Sequence, residues 1–224
     1  MNYTKTTKTT TAQAIRDAAL AIAPDQVIST IESSAGAVQS AAALEFGSIF
    51  GLKATFQLPD KLPINNLLVR IETKAANESQ WREIATSTTG ADGIIQVPLL
   101  LSKSSMIRAR TDATWERLES ISAEVSVVIT RRISVNAPVS AVRSQPLQIT
   151  GTLAPRQSGV PLQLLQQRAG KWIPVGSPVL TDVNGLFTIS TTVEQKGFAK
   201  YMVRVAKDAQ WNQADSEVFT VVIR

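Results

Sequence analysis

The chain has 224 residues, of which 44% are hydrophobic, a formal net charge of +5, and neither cysteine nor histidine. This length accommodates two domains of ordinary size, each able to bury a core. The composition excludes disulfides, thiolate or imidazole metal centres and a histidine general base, and no run approaches the roughly 18 apolar residues of a membrane-spanning helix.

Residues 1–11 (MNYTKTTKTTT) contain six threonines and two lysines. They are β-prone and almost free of apolar side chains, which reads as a loose arm or a strand awaiting a partner's sheet edge. They also lack the apolar core of a signal peptide, so the expectation is either a chain not exported by that route or a piece of a longer exported protein. Residues 12–23 have the propensity for a short helix that Pro24 stops. Val27 to Ile31 is a candidate first strand, and the small-residue-rich stretch up to Ala43 is open between strand and helix.

From Leu44 onward, short runs of alternating apolar residues recur between turn signals such as Pro59-Asp60, Asn65-Asn66, Gly90-Ala91-Asp92-Gly93, Ala169-Gly170 and Asp182-Val183-Asn184-Gly185. Strands at this spacing with no helical run between them predict antiparallel sandwiches. Expected core positions are Leu68 or Val69, Ile71, Ile84 and Ile107 in the first part, and Leu162, Leu164, Val175 and Val203 in the second.

The second part echoes the first. Gln80 to Gly93 (QWREIATSTTGADG) matches Lys171 to Gly185 (KWIPVGSPVLTDVNG) in its opening tryptophan and its closing turn. Upstream, Leu52 to Phe56 aligns with Ile149 to Leu153, and Val69-Arg70-Ile71 with Leu162-Gln163-Leu164. Downstream, Ile107-Arg108-Ala109 aligns with Val203-Arg204-Val205, Asp112-Ala113-Thr114-Trp115 with Asp208-Ala209-Gln210-Trp211, and Ser120 with Ser216. Cut after Arg132, the chain holds 14 basic and 13 acidic residues, then 9 and 5, so the second part carries +4 of the +5 charge. That excess favours an anionic neighbour.

The order of features around Thr152, Leu162, Leu164, Trp172, Val175, Thr181, Asp182, Asn184, Gly185 and Arg204 resembles the tandem bacterial Ig-like modules of secreted and wall-associated proteins, notably of actinobacteria. The likeness covers roughly residues 45–224. The first copy departs from it at Ala54 and Gly90, where glycine and aspartate are expected. The resemblance implies tandem Ig-like antiparallel β-sandwiches with a spacer or adhesive role; joined to the arm and helix read from the residues, the expected fold is all-β, two tandem Ig-like antiparallel β-sandwiches preceded by an N-terminal arm with a short helix. The expected boundaries are residues 1–26 for arm and helix, 27–132 for the first module and 133–224 for the second.

The conspicuous residues divide between structure and contact. Asp182-Val183-Asn184-Gly185 has the alternating oxygens of a calcium loop but no distant bidentate carboxylate, and a plain turn accounts for it. Trp81 and Trp172 are expected to pack. Trp115 and Trp211, set among polar neighbours near a module's end, are the candidates for partner or glycan contact. Basic residues are scattered without aromatic interleaving, so no nucleic acid is expected. No phosphate loop or nucleophile elbow is present, so no enzyme activity, cofactor, metal or small-molecule substrate is expected.

Three functions follow as expectations. The first is a structural spacer or adhesive module of a bacterial cell-surface protein, with a protein or cell-wall polymer as partner. The second is a subunit of an extracellular filament, surface layer or phage particle, self-associating through residues 1–11. The third is a glycan-binding module. The expected location is extracellular or cell-surface, or alternatively the virion.

Overall fold

The computed structural model describes residues 25–33 and 44–224. The expected arm, the helix over 12–23 and most of the unassigned stretch before Leu44 lie outside the described residues. Within them every regular element is a strand. The first half contains β1 (Ile28–Ser33), β2 (Leu44–Glu45), β3 (Ile49–Gln57), β4 (Leu68–Ala75), β5 (Arg82–Thr88), β6 (Ile94–Leu100), β7 (Ser105–Thr111), β8 (Ser120–Ile121), β9 (Val125–Val127) and β10 (Ile129–Thr130). The second contains β11 (Arg132–Asn136), β12 (Ser140–Ala141), β13 (Pro146–Ala154), β14 (Pro161–Arg168), β15 (Lys171–Leu180), β16 (Leu186–Thr192), β17 (Gly197–Val205), β18 (Ala214–Asp215) and β19 (Phe219–Ile223).

In the first half a sheet ordered β1-β3-β6 faces one ordered β5-β4-β7-β8, with β9 also pairing β7. The second half pairs β11-β13-β16 against β15-β14-β17-β19-β12, with β18 also on β17. Each closes with a short parallel pair, β10 with β2 and β19 with β12. These are antiparallel sandwiches of the Ig-like type, and period-two burial explains their formation. Along β3, for example, Phe50, Leu52, Ala54 and Phe56 all point inward.

Each half has its own apolar cluster. The first is built around Leu52, Phe56, Val69, Ile71 and Ile107, the second around Leu147, Ile149, Leu162, Leu164 and Val203. Val69, not Leu68, faces inward. Val175 is only half-buried against its cluster. Ile84, expected in the core, is instead 42% exposed. The cause is a β-bulge: Ile71 pairs with Ala85 and Glu72 with Glu83, so Ile84 has no residue opposite it and turns outward.

The departure at Ala54 has a packing reason. Gly151 sits opposite Phe187, and a Cβ there would come within 2.3 Å of the Phe187 ring. Ala54 holds the same place in β3, opposite the smaller Ile95, which leaves room for its methyl group. Gly93 and Gly185 are left-handed, and a Cβ would meet the Phe56 carbonyl at 2.4 Å and the Leu153 carbonyl at 2.7 Å. Each closes its turn by offering its own carbonyl to the amide of that same residue, 2.8 Å away in both halves.

Candidate functional site

Each sandwich has a leading end, with the loop from β7 to β8 or from β17 to β18, and a trailing end from which its last strand leaves. The hydrogen bonds of these loops settle which residues correspond. Ser122 Oγ accepts the Ala109 amide at 2.9 Å and donates to the Ala123 carbonyl. Ser216 Oγ accepts the Val203 amide at 2.9 Å and donates to the Glu217 carbonyl. The partner of Ser216 is therefore Ser122, not Ser120, and Ala109, not Ile107, matches Val203.

That two-residue shift runs through the loop. Thr114 Oγ1 accepts the amides of Glu116 and Arg117, as Asp208 Oδ1 accepts those of Gln210 and Trp211. The Thr114 amide donates to the Arg117 carbonyl, and the Asp208 amide to that of Trp211. Thus Thr114 stands for Asp208, Trp115 for Ala209 and Arg117 for Trp211. The shared string Asp-Ala-x-Trp hides this, because Asp112 is engaged elsewhere, pairing with Arg70 at 2.9 Å.

The two loop tryptophans consequently have opposite fates. Trp115 is 87% exposed and Trp211 5%. Trp211, expected as a contact residue, is corrected to a packing residue: it belongs to the apolar cluster of the first half and meets Phe46 edge-on at 5.8 Å. Trp81, expected to pack inside, lies half-buried on the outer face of its sheet, with the Arg108 guanidinium at 4.1 Å and Lys74 at 4.7 Å from its ring centre. Trp172 is also half-buried.

Trp211 is the centre of the junction between the halves. Arg131, at the end of β10, lies over its ring at 5.2 Å and pairs with Asp208 at 2.7 Å. The Arg131 side chain is 2% exposed, and its Nη2 also donates to Gln157 of the second half. Ser104 donates its amide to the Gln210 carbonyl, and Asn212 donates to the Ile129 carbonyl. Burial opposes ionisation of the Asp208 carboxyl, but the Gln210 amide, Arg131 and the Trp211 amide together hold it below the usual aspartate range. The leading loop of the second half is thereby locked onto the trailing end of the first.

The Asp182 carboxylate accepts the amides of Asn184 and Leu186 at 2.8 Å each, which occupies it as a turn former. Among the described residues no group of three or more carboxylates is placed to hold a metal ion. No helix among them is long and apolar enough to cross a membrane.

No protein-family model matches the chain, and no curated protein does. Among solved structures, the chain is similar to a C-terminal 282-residue fragment of intimin in complex with the intimin-binding domain of its translocated receptor, Tir, at 15% identity and a TM-score of 0.39. That match covers 86% of this chain and 62% of the intimin fragment, so this chain spans less than two thirds of its length. The D0-D1 domain of intimin is similar at 13% identity and a TM-score of 0.33, over 87% of this chain and 100% of that one. Likeness at this level does not extend to function.

Proposed function

We propose that the chain is a non-catalytic spacer: two Ig-like modules, residues 27–132 and 133–224, joined into a stiff rod within a bacterial cell-surface protein, with protein or wall polymer as partner. The observation that carries this reading is the junction. Only Arg131 separates β10 from β11, and Trp211, Arg131 and Asp208 fasten the second sandwich to the end of the first. A linker of that length with buried aromatic and ionic contacts across it removes the hinge that separate modules ordinarily have. The +4 charge of the second part suits an anionic neighbour.

X-ray scattering from the dilute monomer tests the proposal. One rigid arrangement should account for the wild-type profile, while Trp211→Ala should broaden it towards a hinged ensemble. A wild-type profile that needs many relative orientations rejects the spacer reading.

A further inference from the structure

The two sandwiches differ along one flank, where β5 of one sheet lies across from β6 of the other. Ala85 holds in the first half the place that Val175 holds in the second, because Ile71 pairs with Ala85 and Ala109 as Leu164 pairs with Val175 and Val203. Val175 packs against its apolar cluster. Alanine is two carbons smaller, and the β5 bulge turns Ile84 outward instead of filling the space. The result is a cleft of about 320 Å³, with Leu99 and Leu101 as its floor and Ile84, Ala85 and Pro98 as its walls. That volume is at the small end for a ligand site, and no aromatic ring among the described residues lines it as a platform for a sugar.

The mouth of the cleft is charged. Lys103 Nζ stands 3.0 Å and Arg82 Nη2 3.8 Å from the Glu78 carboxylate. Two cations share one carboxylate, and the Arg82 side chain is 72% exposed, so the rim can take a second carboxylate. The strand beside it is open to pairing. β5 is the last strand of its sheet, and among the described residues no strand pairs with its outer side. The matching edge of the second half, β15, is blunted by Pro174, Pro178 and the left-handed Gly176, and Pro98 does the same for β6. β5 contains no proline, and beyond the bulge residues 85–88 keep regular pairing with β4.

We infer that the first sandwich binds an extended segment of a protein partner along β5 and antiparallel to it. One large aliphatic side chain of that segment fills the cleft, and a carboxylate two residues later meets Arg82 and Lys103. The spacing follows from the side-chain period of a strand, and the antiparallel sense carries the later residue to the Arg82 end. Main-chain hydrogen bonds to β5 supply affinity, while the cleft and its basic rim supply specificity. The inference goes beyond the spacer reading, which rests on the junction and is tested without any peptide.

NMR titration of the full, isotope-labelled chain with the hexapeptide TVTLTD, capped at both ends, tests it. Shifts should gather on β5 and the cleft residues, with a Kd on the order of 100 µM for so short a pairing. Replacing the peptide's leucine by alanine, or its aspartate by lysine, should each weaken binding at least about tenfold. Ala85→Val copies the second sandwich and fills the cleft, so it should keep the fold and weaken binding of TVTLTD by a similar factor. Arg82→Glu, at an exposed position, decides the matter even if Ala85→Val disturbs the fold: it should weaken TVTLTD and prefer the lysine peptide. No shift up to about 2 mM peptide overturns the inference, as does equal binding of the three peptides or an unchanged preference in Arg82→Glu. Shifts at the same residues on concentrating the chain alone would give the cleft to a second copy and overturn the assignment to a separate partner.

Discussion

Trp115 and Trp211 follow the same three-residue pattern and differ by what lies in front of them. Trp211 rests on the trailing end of a sandwich, against Phe46 and under Arg131. Trp115 faces outward from the leading end. Trp211→Ala should therefore cost about 3 kcal/mol in denaturant unfolding, through the cavity left at a packed site, while Trp115→Ala should change stability by less than about 0.5 kcal/mol. Asp208 makes a second test. Its carboxyl is held below the usual aspartate range, so its stabilisation is present above that range and is lost as pH falls through the folded-state value. Asp208→Asn should lower stability near neutrality by about 1–2 kcal/mol, a figure discounted because Asp208 is half-exposed while Arg131 is not. The gap between variant and wild type in urea melts should close as pH falls below the ordinary aspartate range. A constant gap down to strong acid would mean that the Asp208 charge contributes nothing.

At the scale of strands, the halves use one pairing plan and exchange the volumes within it. Gly151 with Phe187 in the second sandwich becomes Ala54 with Ile95 in the first. Gly151→Ala alone should destabilise by about 1–3 kcal/mol, because the new methyl group overlaps the Phe187 ring and the Ser134 carbonyl. Adding Phe187→Ile should recover part of that loss, the part due to the ring. The coupling is read from a double-mutant cycle in denaturant; additive losses would show that the carbonyl contact alone sets the cost. The bulge in β5 is the same kind of local exchange, since one unopposed residue sends Ile84 to the surface without disturbing Val69 or Ile71 on the neighbouring strand.

For the whole molecule, the junction makes the halves energetically dependent. Trp211 is counted in the core of the first sandwich although its loop belongs to the second. Opening one half therefore exposes surface of the other, and heating should unfold both in one calorimetric transition. Trp211→Ala should split that transition into two. Two resolved transitions in the wild type would mean that the junction is too weak to couple the halves.

The alternating apolar runs determined the strands, because inward and outward positions along a strand follow the side-chain period of two and need no distant partner. The inward positions Ile71, Leu162 and Leu164 on β4 and β14 were legible in that way, as was the turn at Asp182, where aspartate, asparagine and glycine specify their own local hydrogen bonds. The lack of cysteine and histidine likewise limited the chemistry without reference to any fold. What only the tertiary structure decided is which residues correspond and which face a partner. Asp112 and Asp208 read alike, yet one pairs with Arg70 and the other caps the turn beneath Trp211. Their difference rests on contacts between residues far apart in the chain, and a local string of four residues carries no record of those. The same holds for the fate of a tryptophan, since burial depends on the surface that the fold brings against it: Trp211 meets the end of the first sandwich, and the Trp115 side chain stands exposed on its loop.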